Sequence, residues 1–483
     1  MTTLATPGAP PPGAPPAGVR PPGARAALVL PGAATLLGLM NYTAPIATLT
    51  DTAAGLHAGT TARIWVMSSI SLGLAAALLA VGALADDHGR RRVFALGGGL
   101  LALSSVVCAV APDSAAFVAG RIVQGAATAA LLATGLGIIG HTFTGAARAR
   151  AAGIWGAMLG LGIALGPIAA AGIARLADWR LWYWVTVAAS VALTAAARAL
   201  PESRAEHRRG LDLPGLVTMV GGVSALLTAV TLGRTGWTRP TVLVLLAAAV
   251  ALLVAFVAVE ARRTAPMLDL GLFRRPAFLL SVGGAMVTGL AVIGMASNLV
   301  TVMVSALGLS PLAASFVLAI WSGASYLVAL QARRLPARWS AGHLLAAGLA
   351  LSAVGELAMT GLDPGTPWWG LATGLVIAGV GSGLANAMLA RLAVDSVPPQ
   401  RASMGSGANN TARYTGAALG VALVFAITTG SGTSPRALTH GFGIALVVSA
   451  VVCALGAVAA VPLTRRLAAH ATSSAVVPSP QER

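Results

Sequence analysis

GALADDHGRRRVF, residues 82–94, sets two acids, a histidine and three consecutive arginines within seven positions of an otherwise apolar chain. Apolar runs flank it on both sides, 64–84 and 93–111, each close to the ~20 residues a helix needs to cross the hydrocarbon of a bilayer. A short charged turn between two such helices belongs at a membrane face, and Gly89 permits its tightness. Composition agrees. The 483 residues are 57% hydrophobic and only 9% charged, with mean hydropathy +0.82, against roughly 25% charged in a soluble domain. The solvent this chain expects is lipid.

Outward from the charged turn, apolar length predicts fourteen spanning helices: 26–50, 64–84, 93–111, 115–140, 150–174, 181–200, 213–232, 241–260, 277–304, 312–331, 342–361, 368–393, 403–429 and 440–463. Lipid offers the backbone no hydrogen-bond partner, so each must be helical. An even number puts both termini on one side. The basic residues, all of them arginine, choose that side. Of 31, 23 fall on the tails and loops that share a side with the N-terminus, six on the opposite loops, and two, Arg121 and Arg413, inside spans. Arginine accumulates on cytoplasmic loops, so both termini are expected in the cytoplasm, in a multi-pass plasma-membrane protein. The net charge of +17 then reports topology, not nucleic acid. The absence of lysine beside so much alanine and glycine points to genomic base bias. Cys108 and Cys453 lie in apolar runs and suggest neither disulfide nor metal site. Residues 1–25 are rich in proline and glycine and are expected to form a disordered tail. The first apolar run is too long for a signal-peptide core and reads as a retained helix.

Three tracts carry a family resemblance. The first is Gly82, Asp86, Gly89, Arg90 and Arg91, which resembles the loop signature G-x-x-x-D-[RK]-x-G-[RK]-[RK] of the major facilitator superfamily. Asp87 stands where that family usually has a base. In span four, Arg121, Gln124 and Gly125 match the family's R-x-x-Q-G. An arginine inside a span is costly unless it meets a partner or cavity, and so marks function; the alternative is snorkelling to the nearby interface. In span five, Gly153, Gly162, Gly166 and Pro167 keep the spacing of the family's antiporter signature, with Ala170 and Ala171 in place of its closing glycine pair. Small residues permit close helix approach, and proline with glycine permits a bend.

ADWRLWYWVTV (177–187), LDLPGLV (211–217), GWTRP (236–240) and SMGSGANNTARYTGAALGVAL (403–423) narrow the resemblance to the fourteen-helix drug–proton antiporters. It covers nearly the whole chain after the tail. The implied fold is an all-α membrane protein of two pseudo-symmetric six-helix bundles, 26–200 and 277–466. Two inserted helices with flanking loops occupy 201–276, and cytoplasmic tails 1–25 and 467–483. ARRLPARWSAG (332–342) sits where the second bundle would repeat the charged loop and has lost its acid. The resemblance also implies an inner gate, with Asp86 facing the start of span thirteen near residues 402–405 and Arg90 neutralising it.

One departure bears on mechanism. Antiporters of this kind usually carry an aspartate in span one, where this chain has Asn41. Asparagine cannot titrate, and proton exchange needs a group that can. The remaining membrane acid is Glu356 in span eleven, a candidate for coupling; Asp51 lies at the outer end of span one, and Glu260 and Asp395 at inner ends. Asn409 and Asn410 precede Arg413 by about one turn. With arginines rather than acids inside the spans, the cavity is expected to prefer neutral or anionic amphipathic compounds over dications. Tyr42, Trp65, Trp155, Tyr326 and Tyr414 are candidates to line it, each equally a packing or interface residue.

The expected function is therefore export of hydrophobic small molecules by alternating access, driven by a proton gradient, without cofactor or metal, by a monomer. A permease or a lipid or metabolite carrier on the same fold, differently coupled or uncoupled, is the alternative. An enzyme would need convergent acid, base, nucleophile or metal ligands, and the seven histidines fall in or beside loops without ligand spacing. ATP-driven transport lacks its phosphate loop, G-x-x-x-x-G-K-[ST].

Overall fold

The computed structural model describes residues 23–204, 212–234, 236–264, 266–335, 339–430, 432 and 434–476, and every regular element among them is helical. Most of the expected N-terminal tail, residues 1–22, lies outside the described residues, as do residues 477–483.

The first bundle comprises α1 (Ala24–Thr43), α2 (Pro45–Gly55), α3 (Thr60–His88), α4 (Arg90–Val110), α5 (Ser114–Thr142), α6 (Gly145–Leu176) and α7 (Arg180–Ala196). Next come α8 (Leu213–Gly233) and α9 (Pro240–Arg262). The second bundle holds α10 (Pro276–Val287), α11 (Gly294–Ser305), α12 (Pro311–Gln331), α13 (Ala341–Ala358), α14 (Ala372–Asp395), α15 (Ala402–Thr429) and α16 (Pro435–Val476). Local chemistry sets their starts. Asp113, Asp212, Ser310 and Ser340 each cap a helix by accepting a backbone N–H of the first turn. Pro45, Pro240, Pro276 and Pro311 occupy first-turn positions where no donor is missed.

Among the described residues, thirteen helices of 18 or more residues are apolar enough to span a membrane. The expected sixth span, α7, has 17 residues and continues through the 3-10 turn Ala197–Ala199; with it the spans number fourteen. The expected single helix 26–50 is instead α1 and α2, divided before Pro45. Span nine is divided as well, by a π-helical segment, Thr288–Ile293, between α10 and α11. The first helix of each bundle is thus interrupted. At the C-terminus, α16 runs past the expected boundary at 466 to Val476.

The packing is reciprocal. In the first bundle α3 and α4 pack on α5, α4 on α7, and α1 on α6. In the second, α12 and α13 pack on α14, α13 on α16, and α10 on α15. Each contact has its counterpart, which is the pseudo-symmetry. The bundles meet along two seams, α3 with α15 and α6 with α12. The inserted pair packs on itself, and α8 also lies against α3 and α15. Burial follows: 83% of the apolar window of α5 is buried against 17% of that of α9. An all-apolar helix with so little protein cover is a lipid-facing helix.

Candidate functional site

The charged turn between α3 and α4 clamps the second bundle. Gly89 takes φ +108°, a conformation other residues rarely adopt, and turns the chain in a single residue. Asp86 Oδ1 accepts the Ser403 backbone N–H at 3.1 Å, and Oδ2 accepts that of Met404 at 2.8 Å. These are first-turn donors of α15 with no partner inside the helix, where the dipole also favours an anion. Arg90 donates to Asp86 Oδ1 through Nε at 2.9 Å and Nη2 at 2.7 Å. It reaches on to the carbonyls of Pro399 and Gln400 at 3.0 and 2.9 Å, and to Ser403 Oγ at 3.0 Å. Both side chains are fully buried. Beneath them, a Cβ on Gly82 would stand 2.5 Å from the Ser403 carbonyl oxygen, so only glycine permits this approach.

Two further ion pairs bridge the bundles at the same end, Asp87 to Arg401 at 3.4 Å and Arg148 to Asp395 at 3.3 Å. Arg91 instead pairs with Glu202 at 3.3 Å, within the first bundle's own end. At the arginine-rich end the two bundles are therefore tied together.

A second polar network lies deeper. Pro45 has no N–H, so the Asn41 carbonyl one turn before it loses its helical partner. Arg121 Nη1 from α5 fills that place at 2.7 Å. The same nitrogen donates to Gln124 Oε1 at 3.2 Å, and Gln124 Nε2 donates to Ser105 Oγ at 2.9 Å. The Asn41 side-chain oxygen accepts from Trp182 Nε1 at 3.2 Å. Arg121 is fully buried, so it does not snorkel. Gly125 completes the motif: its Cβ would fall 2.1 Å from the Ile70 carbonyl oxygen, and α5 and α3 need the gap. In the second bundle Arg413 Nη1 donates to Asn386 Oδ1 of α14. Asn409 Nδ2 donates to the Ser281 carbonyl and hydroxyl of α10 at 2.9 and 3.0 Å. Asn410 Nδ2 turns back to the Ser406 carbonyl, and its Oδ1 is buried without a partner. Between the bundles, the Tyr42 and Tyr414 rings lie 5.9 Å apart, tilted by 54°.

Paired bundles, and an acid of the charged turn facing the start of span thirteen, are what the sequence resemblance implied. The sequence model of the Major Facilitator Superfamily matches residues 32–421. The chain belongs to that superfamily. It is 33% identical to the puromycin resistance protein pur8 of Streptomyces alboniger, over 93% of each chain. It is 33% identical to the cephamycin export protein CmcT of Amycolatopsis lactamdurans, over 89% of this chain and 90% of that one. The human organic anion transporter MFSD10 shares the fold, with a TM-score of 0.65 at 16% identity, over 91% of this chain and all of that one.

Not every expected site residue of this facilitator reaches the seams. Glu356 is fully buried on α13, and neither carboxylate oxygen has a hydrogen-bond partner. α13 packs on α14, α16 and α10, all within the second bundle, so Glu356 stands away from the seams. The span-five signature divides. Gly153 faces the Ala329 carbonyl of α12 across the seam, whereas Gly162 and Gly166 pack on α1 inside the first bundle. Pro167 frees the Ile163 carbonyl, which the Thr43 hydroxyl approaches at 3.5 Å, a long contact. Trp155 is buried beside Gly135 of α5, and Tyr326 is half-buried on α12 next to Gly160.

Asn386 and Ser281, the partners of Arg413 and Asn409, carried no motif, and Trp182, the partner of Asn41, lay in the tract 177–187 without a role assigned to it. Each is an ordinary polar or aromatic residue in a span. Arg234 was counted among the opposite-end loop arginines, yet its guanidinium lies over the Phe425 ring of α15, 5.6 Å from the centroid.

Removing one partner of a buried ion pair costs about 3–5 kcal/mol, whereas exposed pairs contribute about 0–1 kcal/mol. Asp86→Asn is therefore expected to lower the melting temperature of the purified protein by several degrees, and Asp87→Asn, which loses one 3.4 Å contact to Arg401 at the edge of the cluster, to lower it by clearly less; differential scanning fluorimetry in detergent reads both. The Pro45–Arg121 relation predicts coupling. Arg121→Gln should destabilise, and Pro45→Ala, which restores an N–H for the Asn41 carbonyl, should recover about 1 kcal/mol of that loss in a double-mutant cycle. Strictly additive effects would contradict the assignment.

Proposed function

We propose that this chain is a secondary active exporter of amphipathic small molecules, working by alternating access against a proton gradient. It is a monomer in the plasma membrane with both termini cytoplasmic. The observation that carries the reading is the clamp of Asp86 and Arg90 on the first turn of α15. Among the described residues the ion pairs that join the two bundles all lie at one end, and a latch of that kind is what a transporter needs to expose its interior to one side at a time. The arginine-rich end, cytoplasmic by charge distribution, is the end that is tied. The names of its relatives, a puromycin resistance protein and a cephamycin export protein, favour outward traffic of small molecules.

Electrostatics favours uncharged or anionic cargo. Among the described residues the buried acids are Asp86, Asp87, Asp212, Glu260 and Glu356. The first two belong to the latch. Asp212 and Glu260 lie where α8 begins and α9 ends, at the arginine-rich end, with Arg263 3.5 Å from Asp212. None of the five stands beside the Tyr42–Tyr414 pair, whereas Arg121 and Arg413 are adjacent to it in α5 and α15. A dication there would meet fixed positive charge in a low-dielectric interior.

Glu356 is the acid we assign to proton coupling, since Asn41 cannot titrate. It would act from the periphery: its helix α13, like α16, packs on α10, the interrupted helix that in turn packs on α15.

Everted vesicles test both points. Export of an uncharged fluorescent compound should depend on the proton gradient and exceed that of a dicationic dye at equal concentration; strong dication efflux would refute the charge assignment. Glu356→Gln should abolish the gradient dependence of export. A Glu356→Gln protein that exports and dissipates the gradient normally would remove Glu356 from the mechanism.

A further inference from the structure

α8 lies along the seam where α3 of the first bundle meets α15 of the second. Its last residue is Gly233, over which the Trp237 indole folds back; a Cβ there would stand 2.7 Å from the ring. This tight turn directs the next residue, Arg234, towards the bundles. Its guanidinium sits 5.6 Å from the ring centroid of Phe425 on α15, and within electrostatic reach of the Tyr42 hydroxyl on α1. The Arg234 Nε is buried and has no hydrogen-bond partner. None of the ion pairs among the described residues includes Arg234. Tyr42 faces Tyr414 across the seam at 5.9 Å.

A cation over one ring, Phe425, and within electrostatic reach of the Tyr42–Tyr414 pair, is thus assembled from three separate parts of the chain. The cation belongs to the insertion, Tyr42 to the first bundle, and Tyr414 and Phe425 to the second. A guanidinium resting on an aromatic face is held weakly. Its donor fork remains suited to a carboxylate or sulfonate, which it can bind through two parallel hydrogen bonds. The rings offer a flat apolar wall with defined stacking geometry. Among the described residues no acid of either bundle forms an ion pair with Arg234.

We propose that Arg234 is a specificity-determining residue, contributed by the inserted helices, that binds the acid group of an amphipathic aromatic anion whose ring body extends from Phe425 towards the Tyr42–Tyr414 pair. This rests on the export reading above and narrows its substrate class. It also gives the insertion a part in recognition besides covering the seam.

The test uses the full chain in nanodiscs of uncharged lipid, with empty discs as the blank, and two fluorescent probes of one skeleton. These are 1-anilinonaphthalene-8-sulfonate and N-phenyl-1-naphthylamine, which lacks the sulfonate. Saturable fluorescence enhancement gives a Kd for each. The unaltered protein should bind the sulfonate more tightly. Arg234→Gln should weaken sulfonate binding about tenfold and shift the neutral probe by less than about twofold. Arg234→Lys, which keeps the charge and loses the fork, should fall between. Equal shifts for both probes, or none, overturn the proposal. Should the Gln variant fail to fold, an unchanged sulfonate-to-neutral ratio in the Lys variant overturns it equally. Binding requires no turnover, so a chain that binds selectively yet exports neither probe counts against the export reading and leaves the role of Arg234 standing.

Discussion

A helix that begins inside a protein leaves backbone donors without partners, and α15 begins where the two bundles touch. Asp86 satisfies two of those donors, and Arg90 satisfies the carbonyls of the turn just before them. Neither residue is tolerable alone in that place. A buried carboxylate or guanidinium costs several kcal/mol unless almost every one of its polar atoms is engaged. Together with one short segment of the partner bundle they form a neutral, nearly saturated unit. The close approach around it, with Gly82 against the Ser403 carbonyl and Gly137 against the Ser403 side chain, is possible because that segment is held so firmly. Joining of the bundles at one end is thus less a matter of contact area than of finishing a hydrogen-bond inventory.

The same accounting explains the interruptions. Proline removes a donor, and the carbonyl it orphans must be satisfied from elsewhere. At Asn41 the supplier is Arg121, and at Ile163 the Thr43 hydroxyl makes a long approach; span nine is interrupted without a proline, by the π segment Thr288–Ile293. An arginine at that depth, which taken alone looks like a substrate ligand, has a structural partner fixed by a proline 76 positions earlier. Its remaining charge still colours the interior.

Much of this was legible in the sequence. Apolar length gave the spans, because hydrocarbon thickness is a hard rule, and arginine bias gave their alternation. The contact of Asp86 with the start of α15 was expected from the resemblance carried by residues 82–91, not from turn spacing alone. Other features were not. The break at Pro45 was hidden inside an unbroken apolar run. Periodicity could not separate Gly153, which faces α12, from Gly162 and Gly166, which face α1, since all occupy one helix of small residues. Glu356 looked like a cavity acid because burial and centrality cannot be told apart along a single strand of sequence; the third helix of a bundle is buried yet remote from the seams. Arg234 looked like a loop residue because the fold-back of Trp237 is a tertiary event.

The inserted hairpin makes the two seams unequal. α8 lies over the junction of α3 with α15, and α9 shields it in turn, presenting its apolar surface outward. The junction of α6 with α12, lined by Gly153 and Gly160, has no such cover among the described residues. A molecule dissolved among the acyl chains therefore meets a helical wall on one flank of the protein and the bare meeting line of the two bundles on the other. Pseudo-symmetry gives the molecule two side doors; the insertion bolts one, so any traffic from within the lipid acquires a handedness in the plane of the membrane.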